Sequence, residues 1–276
     1  MSALPARPKS EGKTLIVDEL SVGFGGIIAL DRVTMSAAQG EIVGVIGPNG
    51  AGKTTLFNVI CGFVSADSGV ITYGGSSLLW HHPHDLAKLG IARTLQGVGL
   101  CAGLTVLENV MIGAQSQIHS DLVSSFMGLW RSSREERQVA ARAGALLDDL
   151  GVAEYMERLP HTLPYAVQKR TAFARALMAE PSLLLLDEPA SGLSNDEMDD
   201  LATTIRSLSA HMSVVLVEHH MDLVMSVSDR LVVLNFGQVI ADGTPDFIRS
   251  NPEVATAYLG DAVHEPSVDS GMSDNA

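Results

Sequence analysis

The sequence predicts an α/β protein with a parallel sheet at its centre. Strand-like apolar runs recur along the chain and helical patterns separate them, which is the order expected when helices join parallel strands. Two of these runs, 183–186 and 214–217, are continuously apolar, as in central strands that are buried on both faces. A glycine-rich loop between a strand and a helix, at residues 47–55, also favours this class.

Each element follows from its own local pattern. Strands are predicted, in chain order, at residues 15–17 with Val22, 42–46, 69–73, 183–186, 214–217, 231–234 and 238–241. Helices are predicted over residues 54–60, 133–150, 166–179 and 195–209. Ser194 and Glu197 have the spacing of a capping box, which predicts that the last of these helices begins directly after Ser194.

The chain divides into three parts on composition. Residues 1–12 are predicted to be a flexible arm, residues 13–260 a folded domain, and residues 261–276 an acidic, serine-rich and disordered tail. Within the domain, the stretch from about 97 to 180 has almost no strand signal. We therefore expect it to form a helical subdomain inserted into the α/β core.

Charge and apolar patterning narrow the classes of function. Lys and Arg number 18 against 32 Asp and Glu, so the net charge of −14 argues against a nucleic-acid partner. There is no run of about eighteen apolar residues that would span a bilayer. The first ten residues lack the apolar segment of a signal peptide. The two cysteines, Cys61 and Cys101, fit a reducing compartment, so a cytoplasmic protein is predicted.

The loop at 47–55 has the pattern of a nucleotide phosphate-binding loop. Its glycines allow the backbone to wrap closely, so that successive N–H groups point at phosphate oxygens, and the following helix start adds partial positive charge. Lys53 is expected to reach the β- and γ-phosphates, and the Thr54 hydroxyl to bind Mg²⁺. The predicted nucleotide-binding residues are Gly47, Pro48, Asn49, Gly50, Ala51, Gly52, Lys53, Thr54 and Thr55.

An acidic pair ends the apolar run at 183–186 and predicts the second half of the site. A buried strand would deliver Asp187 and Glu188 to the carboxyl edge of the sheet, where ligands of open α/β sheets bind. We expect Asp187 to hold Mg²⁺ and Glu188 to polarise the attacking water.

With these motifs in this order, residues 14–260 resemble an ABC-type ATPase, the motor subunit of membrane transporters. Gln96 matches the Q-loop glutamine that contacts Mg²⁺ in that family, His219 the switch histidine on the γ-phosphate, and Phe24 the aromatic that stacks on adenine. Residues 190–194 stand in the place of the D-loop. The resemblance implies a P-loop NTPase core with an N-terminal antiparallel β region and the inserted helical subdomain. The signature motif, which contacts the ATP held by a second subunit, is matched by Pro164, Tyr165, Ala166, Val167 and Gln168.

A narrower resemblance is to the branched-chain amino acid importer branch of this family. It is carried by segments 24–26, 90–94, 104–110 and 218–221 and by the C-terminal segments 243–245, 251–252 and 257–260. The Leu-Pro-Tyr opening of the signature, in place of Leu-Ser-Gly, is also similar to that branch.

The signature departs from the family pattern. Ala166 stands where the family has glycine, Val167 where it usually has a polar residue, and Pro164 replaces a serine. A methyl group at position 166 would block the approach to the opposite ATP, or strain the backbone if φ is positive there. We hypothesise that this chain hydrolyses its own ATP against the better signature of a different partner, which favours a heterodimer. The competing hypothesis is that Ala166 is tolerated and both sites work.

The resemblance as a whole implies an ATP-hydrolysing subunit of an importer for branched-chain or related hydrophobic amino acids. Its cofactors would be ATP and Mg²⁺, and it would act on membrane permeases at the cytoplasmic face of the membrane, with a second ABC ATPase and, indirectly, a periplasmic or extracellular solute-binding protein. Two alternatives stay open: a motor for another cargo, such as urea, an amide or a lipid, and an ATP-binding regulator with little turnover.

Overall fold

The computed structural model describes residues 13–79, 81–94, 97–117 and 130–261. Its strands are β1 (Leu15–Phe24), β2 (Ile27–Ala37), β3 (Ile42–Ile46), β4 (Ser68–Tyr73), β5 (Ser76–Ser77), β6 (Ile91–Arg93), β7 (Leu183–Asp187), β8 (Ser213–Val217), β9 (Arg230–Asn235) and β10 (Gln238–Gly243). Its α-helices are α1 (Lys53–Ile60), α2 (Leu86–Leu89), α3 (Val106–Met111), α4 (Trp130–Asp149), α5 (Tyr165–Met178), α6 (Asn195–Leu208), α7 (Met221–Val227), α8 (Pro245–Ser250) and α9 (Pro252–Asp261). Short 3₁₀ turns lie at Pro83–Asp85, Ile112–Gln117, Ala153–Tyr155 and Pro160–Thr162.

The described strands form two sheets. The larger has the order β10-β9-β3-β8-β7-β6, in which β9, β3, β8, β7 and β6 are parallel and β10 is antiparallel at one edge. The smaller has the order β2-β1-β4-β5 and is antiparallel. The predicted α/β core with a parallel sheet and an N-terminal antiparallel region is confirmed.

Alternate residues of the central strands enter two separate cores. Every residue of β3, β7 and β8 is buried, as their continuous apolar sequences predict. Along β7, Leu184 and Leu186 face the core that contains α3 to α7, whereas Leu183 and Leu185 face the core shared with α1 and the antiparallel sheet. The central sheet is therefore covered on both faces, and only its edges and strand ends remain for binding.

The described part of the stretch from 97 to 180 contains helices and no strand. α3, α4 and α5 pack on one another through a core that includes Val110, Leu147 and Leu177. Asn109, which is fully buried on α3, fixes the loop before this helix: its Oδ1 accepts the N–H of Cys101 at 2.8 Å. Its Nδ2 lies 3.1, 3.0 and 2.9 Å from the carbonyl oxygens of Cys101, Leu104 and Thr105. That this stretch acts as a distinct subdomain stays a prediction.

The structure also differs from the sequence-based expectations. β2, β5 and β6 were not predicted: the apolar run 27–30 that opens β2 was not assigned to a strand, and β5 and β6 have only two and three residues. α1 begins at Lys53 and α5 at Tyr165, each one residue earlier than expected. The capping box of Ser194 and Glu197 starts α6 as predicted. The arm at 1–12 and residues 262–276 of the tail lie outside the described residues. None of the helices in the described ranges has the length and apolar character that crossing a membrane requires.

We predict that Asn109→Ala destabilises the fold by about 2 to 3 kcal/mol, because the hydrogen bonds that this fully buried amide makes to the loop before α3 are lost. The shift of the urea unfolding midpoint, followed by circular dichroism, measures the effect. Asn195→Ala is the matched control, since Asn195 is exposed on α6, and it should change stability by less than about 0.5 kcal/mol. Equal midpoints for the two variants would contradict the role given to Asn109.

Candidate functional site

Three strands of the central sheet deliver the candidate residues to one edge. β8 lies between β3 and β7, and its last residue, Val217, is aligned with Val45 on one side and Asp187 on the other. Because the three strands are parallel, the loops that follow them leave the sheet at the same carboxyl edge. The phosphate loop after β3, the acidic pair at the end of β7 and His219 after β8 therefore meet there.

The glycines of the phosphate loop have different tasks. Gly47, Gly50 and Gly52 have φ of 150°, 76° and 103°, a region that favours glycine. A Cβ atom on Gly47 would stand 2.1 Å from the carbonyl oxygen of Leu234, whereas one on Gly50 would have no atom within 4 Å. Gly47 is thus required by packing against β9, and Gly50 leaves open the exposed side of the loop, where a ligand would bind.

Lys53 heads α1 and is held inside the loop. Its side chain is buried, and its Nζ donates hydrogen bonds to the carbonyl oxygens of Gly47 and Pro48, both at 2.7 Å. Thr54 is exposed and Thr55 half-buried at the same helix start. A cation and hydroxyl groups are therefore presented at the N-terminus of α1, where the helix dipole favours an anion.

Phe24 lies at the tip of the β1–β2 hairpin, where it pairs with Ile27 across a two-glycine turn. Its side chain is 50% exposed, and Ile27 and Ile28 beside it are also exposed. A Cβ atom on Gly52 would stand 2.6 Å from the carbonyl oxygen of Ala29, so β2 touches the phosphate loop within a few residues of this tip. An exposed aromatic ring at this place suits stacking on a base.

Asp187 is buried at the end of β7 and uses only one of its carboxylate oxygens. Oδ2 accepts a hydrogen bond from Nη2 of Arg93 at 2.6 Å, with Asp187 1% and Arg93 9% exposed. Oδ1 is buried and has no hydrogen-bond partner among the described residues. An unsatisfied carboxylate oxygen at a strand end suits a cation or the water bound to one, so the residue fits the Mg²⁺ role that the sequence predicts.

Glu188 and His219 are brought together by adjacent strands. Oε1 of Glu188 lies 3.0 Å from Nε2 of His219. The backbone of Glu188 has a φ of 47° and its N–H donates to the carbonyl oxygen of Val217 at 2.9 Å. Positive φ is uncommon outside glycine and costs free energy, so the neighbouring contacts impose it.

Glu218, between β8 and His219, organises the backbone around this pair. It is buried, and its Oε1 accepts the N–H groups of His219 and His220 at 2.8 and 3.3 Å. Its Oε2 accepts the N–H of Ala190, just after Glu188, at 2.9 Å. One buried carboxylate thus fixes both chain segments that carry the candidate catalytic groups.

The signature segment forms the start of α5. Pro164 precedes the first helical residue and offers no side-chain cap, and Pro164 and Tyr165 are exposed. Ala166 and Val167 are half-buried inside the helix, and Ala166 is not among the residues with positive φ. Backbone strain at Ala166, the alternative that required a positive φ, is therefore excluded, and the blocked approach of its methyl group stays a prediction. Gln168 turns inward, where its Nε2 donates to the carbonyl oxygen of Leu163 at 2.9 Å.

α5 is also tied to the segment that follows β7. Nζ of Lys169 donates to the carbonyl oxygens of Glu188 and Pro189 at 3.0 and 3.1 Å. Burial lowers the pKa of Lys169, and the carboxylates of Glu218 and Glu188 oppose that shift. Position 192, in the D-loop segment, favours glycine because its φ is 76°, and a Cβ atom there would stand 2.9 Å from the ring of Tyr165.

The C-terminal helix α9 reaches the phosphate loop from the other side. The N–H of Gly47 interacts with the hydroxyl of Tyr258, and burial raises the pKa of that hydroxyl to about 12. The hydroxyl therefore stays neutral over the physiological range.

Comparison with known proteins agrees with this arrangement. The family model described as ABC transporter matches residues 30–191, and the model described as branched-chain amino acid ATP-binding cassette transporter matches residues 238–264. The high-affinity branched-chain amino acid transport ATP-binding protein BraF of Pseudomonas aeruginosa is 39% identical over 250 residues, which are 90% of this chain and 98% of BraF. LivG of Escherichia coli, which has the same description, is 38% identical with the same coverage.

This chain belongs to the ABC transporter ATP-binding family.

The solved structures agree at the level of the whole fold. The ADP conformation of MJ1267, an ATP-binding cassette of an ABC transporter, aligns with a TM-score of 0.77 and 32% identity over 90% of this chain and 99% of that one. A nucleotide-free ATP-binding cassette from an ABC transporter aligns with a TM-score of 0.76 at the same identity, over 89% and 98%. The chain is accordingly a nucleotide-binding ABC ATPase, and subunits of this kind work with membrane permeases.

Sequence reasoning missed three residues of the ABC site, and the structure does not describe a fourth that it had predicted. Gln96 of the Q-loop lies outside the described residues. Arg93, Glu218 and Tyr258 stand inside motifs that the sequence resemblance singled out, yet none was given a role. The sequence does indicate a role for Glu218, since a carboxylate directly after a buried strand needs hydrogen-bond partners. Arg93 could have been suspected only by knowing that β6 borders β7.

We predict that Gly47→Ala acts mainly on the stability of the fold, whereas Gly50→Ala acts mainly on ATP binding. The methyl group at position 47 overlaps the carbonyl of Leu234, so this variant should lose at least about 2 kcal/mol of stability and, with it, nucleotide binding. At position 50 only the backbone penalty applies, roughly 1 to 2 kcal/mol, while the methyl group enters the space of the phosphates and weakens ATP binding.

Urea unfolding without nucleotide and titration with a fluorescent ATP analogue measure the two effects. Gly75→Ala is the control for backbone strain, because its φ is 79° and its surroundings are open in a turn outside the phosphate loop. Wild-type stability of Gly47→Ala would contradict the packing role of that glycine.

Proposed function

We propose that this chain is the ATP-hydrolysing subunit of an importer for branched-chain or related hydrophobic amino acids. The 3.0 Å contact between Glu188 and His219, next to the phosphate loop and Asp187 at one sheet edge, is the observation that carries the hydrolytic role. The cargo class rests on the relatives, which are described as branched-chain amino acid transport ATP-binding proteins. An amide, urea or lipid as cargo would be revealed by the permease that co-purifies.

In the proposed reaction, water attacks the γ-phosphorus while its proton passes to Glu188, and the bond to the bridging oxygen of the β-phosphate breaks. His219 holds the Glu188 carboxylate in place. Lys53 and the N–H groups of the loop stabilise the charge that develops on the phosphate oxygens, since phosphoryl transfer depends mainly on positioning and electrostatics. Thr54, Gln96 and Asp187 would hold Mg²⁺, which when bound neutralises further phosphate charge. Phe24 would stack on the adenine.

We further propose that the chain works in a heterodimer at the cytoplasmic face of the membrane, with a solute-binding protein delivering cargo on the other side. Each ATP would lie between the phosphate loop of one subunit and the signature of the other. The phosphate loop, Asp187, Glu188 and His219 follow the family pattern, whereas Ala166 places a methyl group at the start of α5, where a close approach to the opposite γ-phosphate is needed. A partner with a glycine there would complete the site of this chain.

We predict that Glu188→Gln lowers ATP turnover at least ~100-fold, as expected for loss of a general base. ATP affinity should stay close to that of the wild type, because the amide keeps the size of the side chain. Steady-state phosphate release and equilibrium ATP binding are the two measurements. Retained turnover would identify a different base and refute the role proposed for Glu188.

We predict that Ala166→Gly raises the turnover of the purified chain several-fold, since a homodimer then has two unobstructed signatures. Ala176→Gly is the matched control, because it places the same helix-weakening residue on α5 away from its start. Equal turnover of wild type and Ala166→Gly, with both abolished by Glu188→Gln, would refute the asymmetry. If wild type and Ala166→Gly both bind ATP without turnover, and an added second ATPase does not restore hydrolysis, the chain is better explained as an ATP-binding regulator.

A further inference from the structure

Arg93 reaches the metal-binding edge of the sheet from the short strand β6. Its Nη2 donates to Oδ2 of Asp187 at 2.6 Å, and both side chains are almost completely buried. The same carboxylate keeps Oδ1 without a partner among the described residues. Arg93 therefore occupies one oxygen of the proposed Mg²⁺-binding carboxylate and leaves the other available.

Arg93 is itself fixed by the helix that follows the phosphate loop. Its Nη1 donates to Oδ1 of Asn58 on α1 at 2.8 Å. The guanidinium group also lies over the ring of Phe57 on α1, 5.7 Å from its centroid, and over the ring of Phe63 at 5.8 Å. A planar, forked donor group can serve Asn58 and Asp187 at once, which a lysine ammonium cannot do with the same geometry. The side chain thus joins α1, β6 and β7 at a single point.

The ion pair also balances the charge of Asp187 itself. Asp187 and Arg93 together are neutral. Because both side chains are nearly shielded from water, the positive charge of Arg93 strongly offsets the attraction of Asp187 for a cation. Cys61, which also contacts Arg93, adds no charge, because burial raises the pKa of its thiol to about 11 against the lowering effect of Arg93. A divalent ion approaching without nucleotide would meet a neutral pair with one open oxygen. With ATP, the phosphate oxygens supply the additional ligands that Mg²⁺ normally takes from its substrate.

We propose that Arg93 is a positioning residue of the metal site, which holds Asp187 by one oxygen and balances its charge so that the divalent ion binds together with nucleotide and not alone. The inference rests on the proposed role of Asp187 in holding Mg²⁺. A purely structural arginine would affect stability and leave the metal dependence of nucleotide binding unchanged.

The test uses two measurements that need no turnover. Mn²⁺ binding in the absence of nucleotide is followed by electron paramagnetic resonance, and the ratio of ATP affinities with Mg²⁺ and with EDTA gives the benefit of the metal. Arg93→Met removes the charge while keeping a long apolar side chain, and Arg93→Lys keeps the charge without the fork. Arg230→Met is the matched control, because Arg230 is a partly buried arginine paired with Glu41 and Asp242 at the opposite end of the sheet.

We expect Arg93→Met to bind Mn²⁺ without nucleotide at least about tenfold more tightly than wild type, since the uncompensated carboxylate attracts the ion. Arg93→Lys should bind Mn²⁺ within about twofold of wild type, yet lose several-fold of the Mg²⁺ benefit to ATP. Arg230→Met should change neither quantity. Unchanged Mn²⁺ binding in Arg93→Met overturns the inference. If that variant does not fold, Arg93→Lys decides: a full Mg²⁺ benefit refutes the positioning role and its loss supports it.

Asp187→Asn separates this inference from the proposed function on which it rests. If Asp187→Asn leaves the Mg²⁺ benefit at the wild-type level, the role of Asp187 fails and the inference falls with it. If Asp187→Asn abolishes that benefit while Arg93→Met matches wild type in both measurements, only the role of Arg93 is refuted.

Discussion

The parallel register of β3, β8 and β7 is the constraint on which the whole site depends. Val217 is aligned with both Val45 and Asp187, so the loops after three strands that are far apart in sequence begin side by side. A slip of one residue in either pairing would turn the strand side chains to the wrong face and move one group of ligands away from the others. Because both faces of these strands are packed in separate cores, the same pairing serves the stability of the core and the geometry of the site.

The same edge concentrates charge in a region with little water, and each charge is matched locally. Lys53 is held by carbonyl oxygens of its own loop, Glu218 by three backbone N–H groups, and Asp187 by Arg93. Burying an unmatched charge is costly, so these contacts are needed for folding as well as for binding. The residues available to the ligand are those left over after this matching: Oδ1 of Asp187, the exposed Thr54, and the half-exposed pair of Glu188 and His219.

Sequence reasoning found the parts whose signal is local and missed those that arise from neighbouring strands. The phosphate loop, the strand 183–186 and the start of α6 were predicted because each has a pattern within a few residues. β6 is too short to have a period, and the pairing of Arg93 with Asp187 exists only because β6 adds next to β7. The same holds for Glu218, whose partners lie after β7 and after β8. At Ala166, by contrast, the structure decides between two alternatives that the sequence left open, since the residue is helical and its φ is not positive.

The contacts of α5 join the signature segment to the segment that carries Glu188. In the proposed dimer, the start of this helix would face the ATP of the partner subunit. Lys169, one turn further on, holds the backbone of Glu188, the proposed base for the ATP of its own chain. Tyr165 packs against position 192 in the D-loop segment from the same helix. In the proposed mechanism, a displacement of the signature on closure would reach the backbone of Glu188, where the positive φ already depends on its surroundings. In the proposed heterodimer, the methyl group at position 166 would weaken the contact with the ATP of the partner only, so the two ATP sites would become unequal.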